Sequence, residues 1–257
     1  MDTANSEINQ NIIHQQHVIE QVTPLPNTIS TNSLMRLLTL KRPAHAKGAM
    51  LAEILICDAI QEITGIMPYI DKGDNIIFDS RCDGKHSTLF SSHYDTAHFV
   101  NDQTEINQIV FSEDGKKVMA VDDVLGADDA AGIYVMLSMI EHLDGIRHAV
   151  AFDRKGQSDV VYLQSNLPCA SECCAKLIAD QLNDHSLSIG GCLNLNPSPN
   201  GGVTDTMMYR QLVPECLNIS VGYEHEHTEK EILDLSFLNQ LTQACCQMSW
   251  YDLPTFR

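Results

Sequence analysis

Residues 124–132 constrain what this chain can fold into more than any other segment. Two adjacent carboxylates, Asp128 and Asp129, are followed by two alanines and Gly132, and then by apolar residues at helical spacing. The pattern predicts a loop that enters a helix, where free backbone N–H groups and the helix dipole stabilise negative charge. Small residues after the carboxylates allow another segment to approach the backbone closely. A purely structural role is equally open, because aspartate often caps a helix start.

Three apolar segments predicted to be strands run into histidine or aspartate. Residues 87–92 are followed by His93 and Asp95, residues 148–152 by Asp153, and residues 217–222 by His225 and His227. The carboxyl ends of strands in an open α/β sheet line its ligand crevice, so these side chains are expected to meet there. Imidazole and carboxylate together suit zinc and similar divalent ions.

These motifs, taken in order, resemble the co-catalytic zinc aminopeptidases and related metallopeptidases with the phosphorylase/hydrolase-like fold. The resemblance covers almost the whole chain, and it is the combination of the motifs that is specific. It implies an α/β fold: a three-layer sandwich whose mixed central sheet is flanked by helices, in a single domain without a large lid. We assign this catalytic domain to residues 31–257 and a flexible N-terminal arm to residues 1–30, which are rich in polar residues.

The resemblance also implies roles for individual residues. It makes His93, Asp128, Asp153 and His227 metal ligands, with Asp128 shared by two zinc ions; cobalt and manganese are alternatives. Asp95, the catalytic candidate, would hold a base or a ligand in place. Without the resemblance, His93 is also explained as a strand-end histidine with a local aspartate partner. His225 competes with His227, which is preferred because a His-Thr-x-x-Glu pattern falls there.

The chain departs from the family pattern before Asp153. The family has a strand ending in two glutamates at this point, of which the first is the general base and the second a metal ligand. Here the helix ends near residue 142 and the strand before Asp153 follows at once. Glu141, His142 and Asp144 are the candidates to replace the pair, but they lie at a helix end. Alternatively, strand 148–152 takes the vacant sheet position.

Other patterns predict the remaining elements. Helices are expected over residues 33–40, 46–63, 168–182 and 231–248, and a hairpin over residues 108–112 and 117–121. Thr204 and Asp205 either line a substrate pocket or cap a helix, and Tyr223 either contacts substrate or packs in the core.

Composition limits the function classes. A net charge of −18 over 257 residues makes nucleic acid and anionic membranes improbable partners. No apolar run is long enough to span a membrane, and the first residues do not resemble a signal peptide. The nine cysteines are an odd number, which favours reduced thiols and a cytoplasmic location. A zinc knuckle around Cys169 and Cys173 is the alternative.

These observations favour a zinc-dependent exopeptidase of the aminopeptidase type, which hydrolyses peptide substrates with a metal-activated water. Neither nucleic acid nor a membrane is expected as a partner, and a homo-oligomer is compatible with the sequence. The missing glutamate pair leaves two alternatives. One is a metallopeptidase-like domain that lost its general base and acts as a metal-binding or scaffolding module. The other is an internally deleted form of an active enzyme.

Overall fold

The computed structural model describes residues 25–26, 28–79, 87–99, 106–140 and 145–257. Glu141, His142 and Asp144, the candidates for the missing glutamate pair, lie outside the described residues. So does most of the proposed N-terminal arm.

The described chain contains five α-helices and thirteen strands, most of them short. The helices are α1 (Ile29–Leu38), α2 (Lys47–Thr64), α3 (Ala127–Met139), α4 (Glu172–Ser188) and α5 (Leu235–Gln247), with two 3₁₀ helices at Asp205–Tyr209 and Trp250–Asp252. The strands are β1 (Tyr69–Ile70), β2 (Ile76–Ile77), β3 (Ser87–Ser91), β4 (Ile109–Phe111), β5 (Lys117–Ala120), β6 (Gly145–Arg154), β7 (Asp159–Val161), β8 (Leu163–Gln164), β9 (Leu167–Pro168), β10 (Asn196–Ser198), β11 (Glu215–Ser220), β12 (Tyr223–Glu224) and β13 (Ile232–Asp234). Among the described residues, no helix is both long and apolar enough to cross a membrane.

The central sheet is mixed, with the strand order β10-β7-β11-β6-β3. Strands β3, β6 and β11 are parallel neighbours, whereas β7 runs antiparallel to β11. Helices flank this sheet, which confirms the predicted α/β class. Every residue of β11 is buried, as expected for a central strand of a sheet that helices cover. Since β3, β6 and β11 are parallel, the polar residues that follow them lie at one edge of the sheet.

An aromatic cluster fixes β3 and β6 beneath this edge. The rings of Phe90 and Phe152 stack with centroids 5.8 Å apart, and Trp250 meets both edge-on. Each such pair contributes roughly 0.5–1.5 kcal/mol beyond its buried area. Phe152 directly precedes Asp153 and Phe90 lies just before His93, so this packing restrains two candidate ligands.

The last helix begins later than the periodicity predicts. Residues 232–234 form β13, which pairs with β5 in a second, antiparallel sheet of order β12-β13-β5-β4. Leu233 is buried between two half-buried neighbours, which is a strand pattern of period two. Asp234 then caps α5 by accepting a hydrogen bond from the Phe237 N–H at 2.9 Å. The predicted helix over residues 231–248 is therefore wrong at its start, and His227 lies in the loop between β12 and β13.

Candidate metal centre

Three of the predicted ligands meet at the carboxyl edge of the central sheet. His93, Asp128 and Asp153 each offer one ligand atom, and these atoms all lie within 4.8 Å of one another. His93 Nε2 is 2.9 Å from Asp128 Oδ1 and 3.7 Å from Asp153 Oδ1. Ligands about 2.0–2.1 Å from a tetrahedral zinc lie about 3.3 Å apart. The two separations from His93 bracket that value, so His93 can share a zinc-sized ion with either carboxylate.

The fourth predicted ligand contacts the other oxygen of the same carboxylate. His227 Nε2 lies 2.8 Å from Asp128 Oδ2, so Asp128 stands between two imidazoles, as a bridging ligand would. The His227 side chain is 59% exposed. In the described part of the chain, no third histidine, cysteine, aspartate or glutamate atom forms a group with Asp128 and His227. The arrangement therefore offers three ligands for one ion and two for a second.

A backbone carbonyl orients His93 more closely than the Asp95 carboxylate does. His93 Nδ1 is 3.0 Å from the main-chain oxygen of Asp95 and 3.5 Å from its Oδ1. Because a carbonyl can only accept, Nδ1 carries the proton in this contact, and Nε2 faces the two other carboxylates. This is the usual way in which the second nitrogen of a metal-binding histidine is held.

The charges around His93 favour a cation at this position. Burial alone would lower the pKa of His93, but its contacts with Asp128, Asp153 and Asp95 outweigh burial and raise it. Burial likewise opposes ionisation of Asp128, yet the hydrogen bond from His93 lowers the pKa of this carboxyl group. The Asp128 carboxylate thus stays ionised and attracts positive charge. A donor set of one imidazole and two carboxylates suits zinc and related divalent ions.

Asp129 has the structural role, capping of a helix start, that the sequence left open for both Asp128 and Asp129. Its Oδ1 accepts the Gly132 N–H at 2.9 Å, and its Oδ2 accepts the Ser92 hydroxyl at 2.5 Å. The backbone torsions of Asp128 and Asp129 are not helical, and the peptide bond between them is cis. Burial raises the pKa of Asp129 well above its usual value. Asp129 therefore caps the helix, which leaves the Asp128 carboxylate free to face the imidazoles.

Three polar side chains hold Asp153. The Thr204 hydroxyl donates to Oδ2 at 2.5 Å, and the Tyr223 hydroxyl donates to Oδ1 at 3.2 Å. Asn218 binds both the N–H and the C=O of Asp153. Thr204 makes no side-chain cap of the following 3₁₀ helix, and Tyr223 is 2% exposed. Both residues orient a candidate ligand; burial, followed by the charge of Asp153, raises the Tyr223 pKa.

The backbone of the loop before Asp128 is bound by side chains that the sequence analysis did not assign. Glu231 accepts from the N–H groups of Gly126 and Asp128, and Arg42 donates to the Gly126 carbonyl. Asn107 donates to two further carbonyls of this loop. Burial raises the pKa of Glu231 to about 7 and lowers the pKa of Arg42 to about 10. Only Glu231 had a sequence signal, in the His-Thr-x-x-Glu spacing.

His98 completes this support through a chain of hydrogen bonds. Its Nε2 donates to the Val124 carbonyl at 2.7 Å, and its Nδ1 accepts from the Thr96 hydroxyl at 2.6 Å. Thr96 Oγ1 in turn accepts the Arg42 N–H at 3.1 Å. These partners require a neutral imidazole with its proton on Nε2. Burial lowers the pKa of His98 to about 4, in agreement with that form.

Stability is therefore expected to fall in mild acid because of His98. Below an ordinary pKa of about 6.5 the unfolded chain takes up a proton that the folded chain refuses until about pH 4. The contribution of neutral His98 to the free energy of unfolding is complete above pH ~6.5, and it has fallen by about 3 kcal/mol at pH 4. Chemical denaturation of wild type and His98→Gln from pH 7 to pH 4 measures this. The variant should show the shallower decline; parallel curves would contradict the assignment.

Several solved structures with this fold are aminopeptidases or a tripeptidase by their titles. A TET aminopeptidase from a marine sediment archaeon (Thaumarchaeota archaeon) superimposes with a TM-score of 0.63 at 8% identity, covering 84% of this chain and 95% of that chain. A tripeptidase from Staphylococcus aureus gives 0.59 at 13% identity, with coverage of 84% and 95%. Aminopeptidase PepT from Bacillus cereus gives 0.57 at 13% identity, with coverage of 84% and 96%. At sequence identities this low, the superpositions show that the fold is shared and nothing more.

Sequence comparisons add no relative: no protein-family model matches the chain, and no curated protein matches it. The structural likeness and the ligand cluster thus stand as separate observations. The first shows that the chain has the fold of these aminopeptidases, as the motifs predicted. The second shows that three of the residues carrying the motifs converge in space.

Proposed function

We propose that this chain is a metal-dependent exopeptidase of the aminopeptidase type that works with one divalent ion, zinc in the first instance. The observation that carries the proposal is the convergence of His93, Asp128 and Asp153 at the carboxyl edge of the sheet. The titles of the structural neighbours support the reaction class, since they name aminopeptidases and a tripeptidase. Peptides with a free amino terminus are the proposed substrates.

The residues of the site divide the work between binding and orientation. A bound zinc ion polarises a carbonyl group and lowers the pKa of water. Three protein ligands leave an open position for this chemistry. The Asp95 carbonyl holds the Nδ1 proton of His93, so that Nε2 remains available as a ligand. Thr204 and Tyr223 fix the two oxygens of Asp153.

Metal content and turnover test the proposal together. Purified protein should carry one zinc, cobalt or manganese ion per chain by native mass spectrometry and should hydrolyse aminoacyl anilides. Removal of the ion by a chelator should abolish hydrolysis, and its return should restore it. Protein that hydrolyses these substrates equally well after complete removal of metal would contradict the proposal.

A metal-binding module without peptidase activity is the second candidate. It is favoured by the pair Asp128 and His227, which has no third ligand among the described residues, and by the missing glutamate pair. A general base contributes about 10²–10⁴-fold to such reactions. One bound ion with no turnover on any aminoacyl anilide would select this function over the first.

Replacing His227 with asparagine is expected to leave the metal stoichiometry at one. His227 contacts Asp128 but is not a member of the three-ligand group, and its side chain is largely exposed. Zinc affinity should change by less than about 10-fold, which is the smallest loss expected when a residue that contacts a ligand, but not the metal itself, is replaced. Chelator competition measures it; complete loss of zinc would show that His227 is an essential ligand.

Self-association and a cytoplasmic location are also proposed. One structural neighbour, PhTET1-12s, is described by its title as a dodecamer in the asymmetric unit. Another, the TET1 peptidase of Pyrococcus horikoshii, is described as able to assemble into a tetrahedron or a large octahedral shell. Light scattering coupled to size-exclusion chromatography tests whether this chain associates; a monomer at all concentrations would contradict this part of the proposal.

A further inference from the structure

Arg42 is the largest fully buried side chain of the described residues, and its guanidinium binds three carbonyl groups from separate segments. Nε donates to Tyr94 O at 2.9 Å, and Nη2 donates to Gly126 O at 2.8 Å. Nη1 donates to Leu37 O in the last turn of α1. A buried arginine must bind its donors in this way, because an unpaired buried charge is very costly.

Two of these carbonyls belong to the segments that carry candidate ligands. Tyr94 directly follows His93, and Gly126 lies two residues before Asp128. Nε and Nη2 belong to one rigid, planar group with fixed spacing between its donors. The planar guanidinium of Arg42 therefore joins two backbone segments that are distant in sequence.

Glu231 binds the same loop from its N–H side. Its Oε2 accepts the Gly126 N–H at 2.9 Å, and its Oε1 accepts the Asp128 N–H at 3.1 Å. Gly126 thus has its N–H bound by the buried carboxyl group of Glu231 and its C=O bound by the buried guanidinium of Arg42. Glu231 is 1% exposed and is the last residue of the loop that carries His227. Between them, Arg42 and Glu231 leave the backbone before Asp128 little freedom to move.

We propose that Arg42 and Glu231 are positioning residues that set the separation of His93 and Asp128 and thereby the affinity of the site for its ion. This inference rests on the metal binding in the proposed function. The hydrogen bonds described above run from both residues to the backbone beside the ligands. Lysine at position 42 would keep the positive charge but lose the planar set of N–H donors, so it should not restore the zinc affinity of the wild type.

Zinc affinity provides the first test. Arg42→Lys, Arg42→Met and Glu231→Gln should bind zinc about 10–100-fold more weakly than wild type in competition with a chromophoric chelator. The visible spectrum of bound cobalt should change as well. Leu238→Ala, a change at a fully buried position of α5, is the matched control for lost stability. All titrations are made well below the melting temperature of every variant, and the control should keep wild-type affinity.

Amide hydrogen exchange in metal-free protein provides the second test. The N–H groups of Thr96, Gly126 and Asp128 are the reporters, because the first donates to the Arg42 carbonyl and the others to Glu231. Arg42→Met should accelerate exchange at these amides more than Leu238→Ala does. Should Arg42→Met fail to fold, Arg42→Lys replaces it in both tests.

The outcomes separate the two proposals. Wild type that binds no divalent ion overturns the proposed function, whereas exchange at the reporter amides still decides whether the two residues fix the loop. Variants whose zinc affinity and local exchange match those of Leu238→Ala overturn the positioning role. Guanidinium ion added at low concentration to Arg42→Ala should recover part of the zinc affinity. If it does not, the planar guanidinium group of Arg42 does not have the proposed role.

Discussion

Asp128→Asn is expected to abolish tight metal binding. Among the described residues, Asp128 is the one carboxylate that contacts both imidazoles, with Oδ1 at 2.9 Å from His93 and Oδ2 at 2.8 Å from His227. The amide has the same shape, but it lacks the negative charge and turns one oxygen into a donor. Loss of a direct ligand should exceed the 10–100-fold cost of losing an outer partner, so zinc affinity should fall on the order of 10³-fold.

Asp122→Asn is the matched control for this change. Asp122 is an exposed aspartate of the segment that leads to the same loop and is not a member of the ligand cluster. Isothermal titration with zinc should give unchanged affinity for Asp122→Asn and an affinity lower on the order of 10³-fold for Asp128→Asn. Equal zinc affinities for the two variants would show that Asp128 is not a metal ligand.

Gly132→Ala is expected to destabilise the fold strongly, although alanine normally favours a helix. A Cβ at this position would lie 2.3 Å from the Phe152 carbonyl oxygen and 2.6 Å from both carboxylate oxygens of Asp129. The backbone of β6 or the start of α3 must move, at a cost of about 1–3 kcal/mol or more. At a solvent-exposed helix position the same change would stabilise the protein by about 1 kcal/mol, so the sign of the change in the free energy of unfolding already tests the close contact.

The control for Gly132→Ala is Gly202→Ala. A Cβ at Gly202 meets no atom within 4 Å, so its free energy of unfolding should stay within about 0.5 kcal/mol of wild type. Denaturant unfolding measures both variants. Gly132→Ala should also weaken zinc binding, because the displaced Phe152 carbonyl directly precedes Asp153. A stabilised Gly132→Ala variant would show that α3 and β6 do not approach as closely as described.

Much of the site could be predicted because its ligands come directly after apolar segments. Residues 148–152 before Asp153 are all buried, Phe90 is buried in the strand before His93, and parallel pairing brings the ends of the two strands together whatever the sequence distance. The Gly132 pattern anticipated a close backbone approach, which the Phe152 carbonyl makes. These are local patterns with a direct physical meaning.

The supporting residues could not be predicted, because their roles depend on contacts across long sequence distances. Arg42 follows a short helix and precedes a proline, and neither neighbour indicates that its guanidinium is buried among carbonyls. His98 has no motif, and its neutral state follows from burial next to Val124. Residues 232–234 suit a helix by composition, and only the pairing of β13 with β5 makes them a strand.

Anomalous diffraction at the zinc absorption edge tests the central claim most directly. Crystals grown with one equivalent of zinc should show one strong peak per chain, about 2.0–2.2 Å from His93 Nε2 and from one oxygen each of Asp128 and Asp153. A zinc ion bound elsewhere, or no peak from protein shown to be saturated with zinc, would contradict the assignment of these three residues as the metal centre.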